Sequence, residues 1–158
     1  MDFFTTEIEV TSSLSATKLF KVYADFDTLA PKVDPQTFKA ISIIEGDGGV
    51  GSIKSIIFGD GVPFTNSKQR FDAIDVTNLS VSYTIFGGDA LLDNVDSATH
   101  HVKFVPSADG GSVYKHTALF NCKPNTQLGE DILNFTKEAF KNTFKAMEAY
   151  AIAHPEAY

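Results

Sequence analysis

Hydrophobic positions repeat with two different periods along the chain. From Gly129 to His154, Leu133, Phe140, Phe144, Met147 and Ala151 recur at steps of 7, 4, 3 and 4. At 3.6 residues per turn these side chains fall on one narrow stripe of a helix. Lys141, Lys145 and Glu148 point away from the stripe, and no Pro interrupts it. A helix of this length spans about 35–40 Å, enough to cross a small domain, and its apolar face needs an apolar surface just as long. Upstream the period is two. From Phe3 to Val10, Ile8 and Val10 alternate with Glu7 and Glu9, which predicts a strand. Further strands are predicted from Phe38 to Glu45, Ser52 to Phe58, Phe64 to Ala73, Leu79 to Phe86, Asn94 to Val105 and Ser112 to Cys122. Turn-like stretches separate them: 46–51, 59–61, 75–78, 87–89 and 108–111. After the first strand, Ser15 is placed to N-cap a short helix through Leu19, Phe20 and Tyr23. A second short helix is predicted from Asp27 to Ala30, stopped by Pro31.

Strands in series with short connections favour antiparallel pairing. The predicted class is therefore α+β, one domain over residues 1–158. Its architecture is a seven-stranded curved antiparallel sheet wrapped around the long C-terminal helix, with two short helices after strand 1. Alternation assigns the inward side chains. Lys54 shares a face with Ile56 and Phe58. Val81, Tyr83 and Ile85 face in, as do Val102 and Phe104 in one strand and Tyr114, Ala118 and Phe120 in the next. The same parity turns His100 and His116 inward on the two strands of one hairpin, opposite or diagonal to each other. They read either as a solvated or hydrogen-bonded pair near the sheet's end, or as a polar handle inside a pocket. Two His without a third ligand make an incomplete metal set, so no metal site is expected. His101 faces outward.

Composition sharpens this picture in a few places. Hydrophobic and charged contents of 43% and 21% are those of an ordinary globular protein. Fourteen Phe against two Met and no Trp either line a broad interior or simply fill the core. The net charge of −7 opposes non-specific binding to nucleic acid or to anionic membranes. A single cysteine, Cys122, excludes an internal disulfide. The first residues, Met1-Asp2-Phe3-Phe4, carry no basic stretch or long apolar core, so no signal peptide is expected. No apolar run reaches roughly 18 residues. The expectation is a cytoplasmic monomer with no cofactor, no membrane partner and no obligate nucleic-acid partner.

The most distinctive short motif is Glu45-Gly46-Asp47-Gly48-Gly49-Val50-Gly51-Ser52. Gly46, Gly48, Gly49 and Gly51 permit positive φ, and successive backbone N–H groups in such a loop can cradle an anion. A nucleotide P-loop would continue through Gly-Lys-Ser/Thr into a helix. Here Gly51-Ser52 leads into a strand, with Lys54 two residues on, which favours a rigid hairpin connection. This loop through Lys54 resembles the glycine-rich loop of the plant pathogenesis-related class-ten proteins, the family of the major birch-pollen allergen. So do 29–33, Asp109-Gly-Gly-Ser112, Glu148-Ala-Tyr150 and Ala153-His-Pro155. The matches run in the same order over essentially the whole chain. The resemblance implies the helix-grip fold with a large internal cavity, and binding of apolar or aromatic plant metabolites such as cytokinins, flavonoids or steroid-like compounds. It also implies a stress- or pathogen-induced protein, often an allergen.

A strongly curved sheet cannot touch a straight helix along its whole length, so the layers must enclose either side chains or a hollow. The small residues Ala139 and Thr143 favour a hollow. Its expected lining is Tyr23, Phe38, Ile56, Phe58, Phe64, Tyr83, Ile85, Val102, Tyr114 and Phe140, with Asp27, Lys54, His100 and His116 as polar groups that orient a ligand. The resemblance also leaves other activities open. A ribonuclease role would fall on Lys54, Glu148 and Tyr150, with Asp96 where the family usually carries Glu. An alkaloid-forming condensation would need acid–base work from Lys54, Asp27 and His116. Hormone-dependent phosphatase inhibition is suggested by Gly87-Gly88-Asp89, which resembles the start of the latch loop of abscisic-acid receptors, but Ala90-Leu91 stands where that latch carries His-Arg, and 59–63 departs from the receptors' gate loop.

Overall fold

Each period in the sequence becomes an element of the computed structural model, which describes residues 2–91, 93–126 and 128–158. The order is β1 (Asp2–Ser12), α1 (Ala16–Ala24), α2 (Phe26–Val33), β2 (Phe38–Glu45), β3 (Ile53–Phe58) and β4 (Asn66–Asp75). It continues with β5 (Ser80–Gly87), a 3₁₀ turn (Asp89–Leu91), β6 (Val95–Pro106), β7 (Ser112–Cys122) and α3 (Glu130–Ala153). All seven strands pair antiparallel in one sheet of order β1-β7-β6-β5-β4-β3-β2. Neighbours in sequence are neighbours in space except at β1. It closes on β7, with Ile8 opposite His116 and Val10 opposite Tyr114. The chain then crosses to the far edge of the sheet through α1 and α2.

The Ser15 side chain accepts a hydrogen bond from the Lys18 N–H and caps α1 as its position requires. Pro31 does not stop α2. The helix runs on to Val33, and the Asp34 N–H closes it on the Ala30 carbonyl. Pro31 merely forgoes one bond to the Asp27 carbonyl, and burial of Leu29 and Ala30 holds the turn in place. Strand starts also shift: β1 begins one residue earlier than expected, at Asp2, and β5 and β6 one residue later, at Ser80 and Val95. Ser52 and Phe64 lie outside β3 and β4. The Asp89 carboxylate takes the Thr65 and Asn66 N–H groups at 2.9 Å each, so β4 begins only at that clip, with Asn66.

Register shifts between Phe38 and Ala40, Ile43 and Glu45, Lys68 and Gln69, Phe71 and Ala73, and Val95 and Ser97 bend the sheet. The bent sheet meets the straight helix at its ends. One core joins Ile8, Leu19, Phe104, Tyr114 and Phe144. A second joins Val22, Leu29, Phe38, Ile56, Met147 and Ala151. A third, under the first turn of α3, joins Leu91, Val95, Ala98, Cys122 and Leu128. The α3 backbone comes closest to β1, α1 and α2. Opposite the middle strands the two layers part.

Candidate functional site

Where the layers part they leave a cavity of about 380 Å³. The inward rows of the sheet form one wall, including Lys54, Ile56 and Phe58 of β3 and Tyr83 and Ile85 of β5. Ala139, Phe140 and Thr143 of α3 form the other, and Tyr23 and Asp27 close one end. Phe38, Phe64, His100, Val102, Tyr114 and His116 also border it, so every lining residue expected from alternation and helix phase lies at the hollow. The helix stripe divides in two. Phe144 and Met147 are completely buried, whereas Leu133, Ala139 and Phe140 keep part of their surface accessible. Tyr23 and Tyr83 do the same amid buried neighbours, because that surface faces the hollow rather than bulk water. Thr143 is buried and donates its hydroxyl to Asp34 at 2.7 Å, tying α3 to the end of α2.

The polar groups are few and paired. Lys54 Nζ lies 2.8 Å from the Asp27 carboxylate, with side-chain exposures of 15% and 32%. The cation that β3 brings to the wall therefore arrives with its counterion from α2. The two histidines lie mid-strand, not near the sheet's end. Tyr83 sits opposite His100, and Val102 opposite His116, so the two imidazoles meet diagonally across β6 and β7. His100 Nδ1 is 2.8 Å from His116 Nε2, and His116 Nδ1 is 2.6 Å from the Tyr114 hydroxyl. The Tyr114 ring lies beside that of Tyr23, with centroids 5.6 Å apart. The His100 ring stacks on Tyr83, with centroids 4.8 Å apart and planes 5° from parallel. The His116 ring lies 4.1 Å from that of Phe140. Burial among these rings pushes the His100 imidazole down to about 3 and holds His116 well below its ordinary value. The same desolvation raises the Tyr23, Tyr83 and Tyr114 phenols. At neutral pH this part of the wall is polar and uncharged.

The glycine loop spends its donors internally. Gly48 N–H donates to Ser52 Oγ at 2.8 Å, Gly49 N–H to Asp47 Oδ1 at 2.9 Å and Gly51 N–H to the Phe71 carbonyl at 2.8 Å. These bonds make it a stiff connector and leave those N–H groups unavailable to an anion. The residues matched to a ribonuclease role do not converge. Lys54 is held by Asp27, and Asp96 is exposed at the irregular start of β6. Tyr150 accepts a bond from Lys32 Nζ at 3.0 Å and stacks on His154. Among the described residues no hydrogen bond or ion pair links any two of Lys54, Asp96, Glu148 and Tyr150. No cluster of three metal-ligating side chains occurs among the described residues either.

Sequence reading missed part of the lining. Ser67, Gln69 and Phe71 project inward from β4, and Ile132, Phe135 and Thr136 from the first turns of α3. Phe71 shares parity with Gln69 and Ser67, and Thr136 lies one turn before Phe140. Both signals are present in the sequence, but the β4 register depends on the distant Asp89 clip.

The family model of the pathogenesis-related protein Bet v 1 family matches residues 1–154. A root allergen protein of Taraxacum officinale is 59% identical over 152 residues, covering 96% of this chain and 97% of its own length. The major allergen Pru ar 1 of Prunus armeniaca is 44% identical over 159 residues, covering 100% of this chain and 99% of its own. Among solved structures, that of Ara h 8.0201 superposes with a TM-score of 0.83 at 32% identity, over 96% of this chain and 99% of the other. Norcoclaurine synthase from Thalictrum flavum, in complex with dopamine and hydroxybenzaldehyde, superposes at 0.77 with 21% identity over 97% and 88% of the two chains.

Proposed function

The chain belongs to the pathogenesis-related Bet v 1 family, and from that premise we propose that it binds a small apolar or aromatic metabolite in its internal cavity, as a carrier, store or sensor in plant defence or stress. The observation that carries the reading is the hollow itself, about 380 Å³ between the bent sheet and α3, walled by aromatic and aliphatic side chains. Pockets of this character, apolar with a few placed polar groups, are the usual form of small-molecule sites. Burying roughly 200 Å² of apolar ligand surface contributes about 5 kcal/mol. Micromolar affinity corresponds to about 8 kcal/mol, so the remainder falls to the polar groups, and these set the selectivity. The likeness to norcoclaurine synthase supports the fold alone. With Lys54 already paired to Asp27, no observation favours a condensing role over binding. The same reading takes the protein as a cytoplasmic monomer with no cofactor and no obligate nucleic-acid or membrane partner.

Titration with 8-anilinonaphthalene-1-sulfonate tests the proposal. Saturable fluorescence enhancement, competed by flavonoid- or cytokinin-like compounds, is the expected result. Absence of saturable binding would remove the reading.

A further inference from the structure

His100 borders the cavity and its Nδ1 is bonded to His116, while its Nε2 makes no hydrogen bond to any described residue. The Tyr83 hydroxyl, on the ring that stacks against His100, is also without a hydrogen bond to any described residue. Buried polar atoms are nearly always satisfied by protein, water or ligand. The wall thus offers unmade bonds where Tyr83 stacks on His100, at the end of the chain His100–His116–Tyr114.

Proton accounting along that chain is restrictive. Each neutral imidazole carries one N–H. If His100 held its proton on Nδ1 and His116 on Nε2, two N–H groups would face each other across 2.8 Å. With His100 protonated on Nε2 and His116 on Nδ1, two lone pairs would face each other. Only two arrangements satisfy every internal bond. In the first, both rings are protonated on Nδ1. His100 then donates to His116 and His116 to the Tyr114 hydroxyl, and His100 Nε2 presents a lone pair to the cavity. In the second, both rings are protonated on Nε2, all donors reverse, and His100 Nε2 presents a proton. The conversion balances. One proton enters at His100 Nε2 from cavity water, the shared protons each move one bond along, and the Tyr114 hydroxyl, which also borders the cavity, releases one as it takes the His116 proton. Burial keeps both rings neutral, which preserves this count.

Resting on the cavity-binding reading above, we infer that His100 Nε2 is the atom that reads the ligand's polar group. The hydrogen-bonded chain His100–His116–Tyr114 lets that atom meet either an N–H or O–H donor or a carbonyl acceptor on a flat aromatic ligand. The site is thereby selective for shape and for a single polar group at a fixed place, and tolerant of that group's hydrogen-bonding sense.

Two bicyclic probes of similar size separate the two states: indole, which only donates, and 1-indanone, which only accepts. The readout is the ¹⁵N shifts of both histidines in ¹⁵N-histidine-labelled protein at pH 7, with occupancy followed by displacement of 8-anilinonaphthalene-1-sulfonate. Indole is expected to set both rings to the Nδ1–H form and 1-indanone to set both to Nε2–H. Identical tautomers under both bound probes, or rings that change independently, would overturn the inference. So would failure of both probes to displace a reporter that itself binds saturably. Failure of the reporter to bind would instead remove the cavity reading, and this inference with it. In Tyr114→Phe the His116 Nδ1 loses its partner, and an orphaned N–H is less tolerable there than an orphaned lone pair. That variant is expected to lock the Nε2–H state and weaken indole by about tenfold, the worth of one buried hydrogen bond, while 1-indanone stays within about twofold. Equal effects on both probes would contradict the relay.

Discussion

Phe140 and Phe144 stand one turn apart on α3 and meet different surroundings. Phe144 is completely buried and stacks on Tyr114 with centroids 4.4 Å apart, so Phe144→Ala should cost about 3–5 kcal/mol, the usual cost of emptying a filled aromatic site. Phe140 already borders empty space. Its truncation should cost roughly half as much or less, since a ring packed on one side only leaves less of a void behind, yet change probe affinity more. Urea denaturation and probe titration on the two variants check both halves. The histidine pair makes a second residue-scale prediction. His100 takes a proton near 6.5 in the unfolded chain and only near 3 in the folded one, and His116 shifts in the same direction. The unfolded state therefore binds more protons in between. The stability these groups contribute is complete above about 6.5 and is lost as pH falls towards 3, by up to about 1.4 kcal/mol per pH unit for each ring. Asp75 and Asp89, also lowered by their hydrogen bonds to Asn78 and Asn66, act only below about pH 4. Urea midpoints measured from pH 7 to pH 4 should fall steadily, and the slope should roughly halve in His100→Phe. A flat profile would show that the rings are not held neutral.

At the scale of elements, what the sequence disclosed followed from periodicity. Ile8 against Glu7 and Glu9 marked β1, and Phe144, Met147 and Ala151 marked the buried face of α3. Features that depend on contacts between distant residues were not legible. Phe64 is apolar and strand-like, but β4 starts only at Asn66, because Asp89, more than twenty residues on, takes the Thr65 and Asn66 N–H groups. Pro31 looked like a stop, and the burial of Leu29 and Ala30 overrode it. The inward parity of His100 and His116 was readable, whereas their direct bond, deep in the wall, depends on the β6–β7 register. The glycine loop supplies the element-scale prediction. Gly46 and Gly51 both have φ of +91°, but a Cβ on Gly46 would come 2.4 Å from Ser52 Oγ, whereas one on Gly51 would meet nothing within 4 Å. Gly51→Ala should cost only the backbone term, about 1–2 kcal/mol. Gly46→Ala should cost more, because it also displaces the acceptor of the Gly48 N–H. Thermal unfolding of the two variants ranks them, and equal losses would argue that the loop relaxes freely.

For the whole molecule, the hollow follows from a mismatch of curvature. The ends of the sheet close on α3 through three separate apolar clusters, and the middle is left open. If the hollow binds as proposed, stability and binding fall to different parts of one interface, and filling the middle should separate them. Ala139→Leu adds volume at the cavity wall without touching the three clusters, so it should leave the urea midpoint within about 1 kcal/mol of the parent while weakening probe binding. Crystals of the protein soaked in 6-bromo-2-naphthol and examined for anomalous bromine scattering offer the most direct test of the hollow. The account predicts a bromine peak inside, between Tyr83 on the sheet and Phe140 on α3. Bromine found only on the outer surface, with the interior unchanged and empty of the soaked compound, would contradict it.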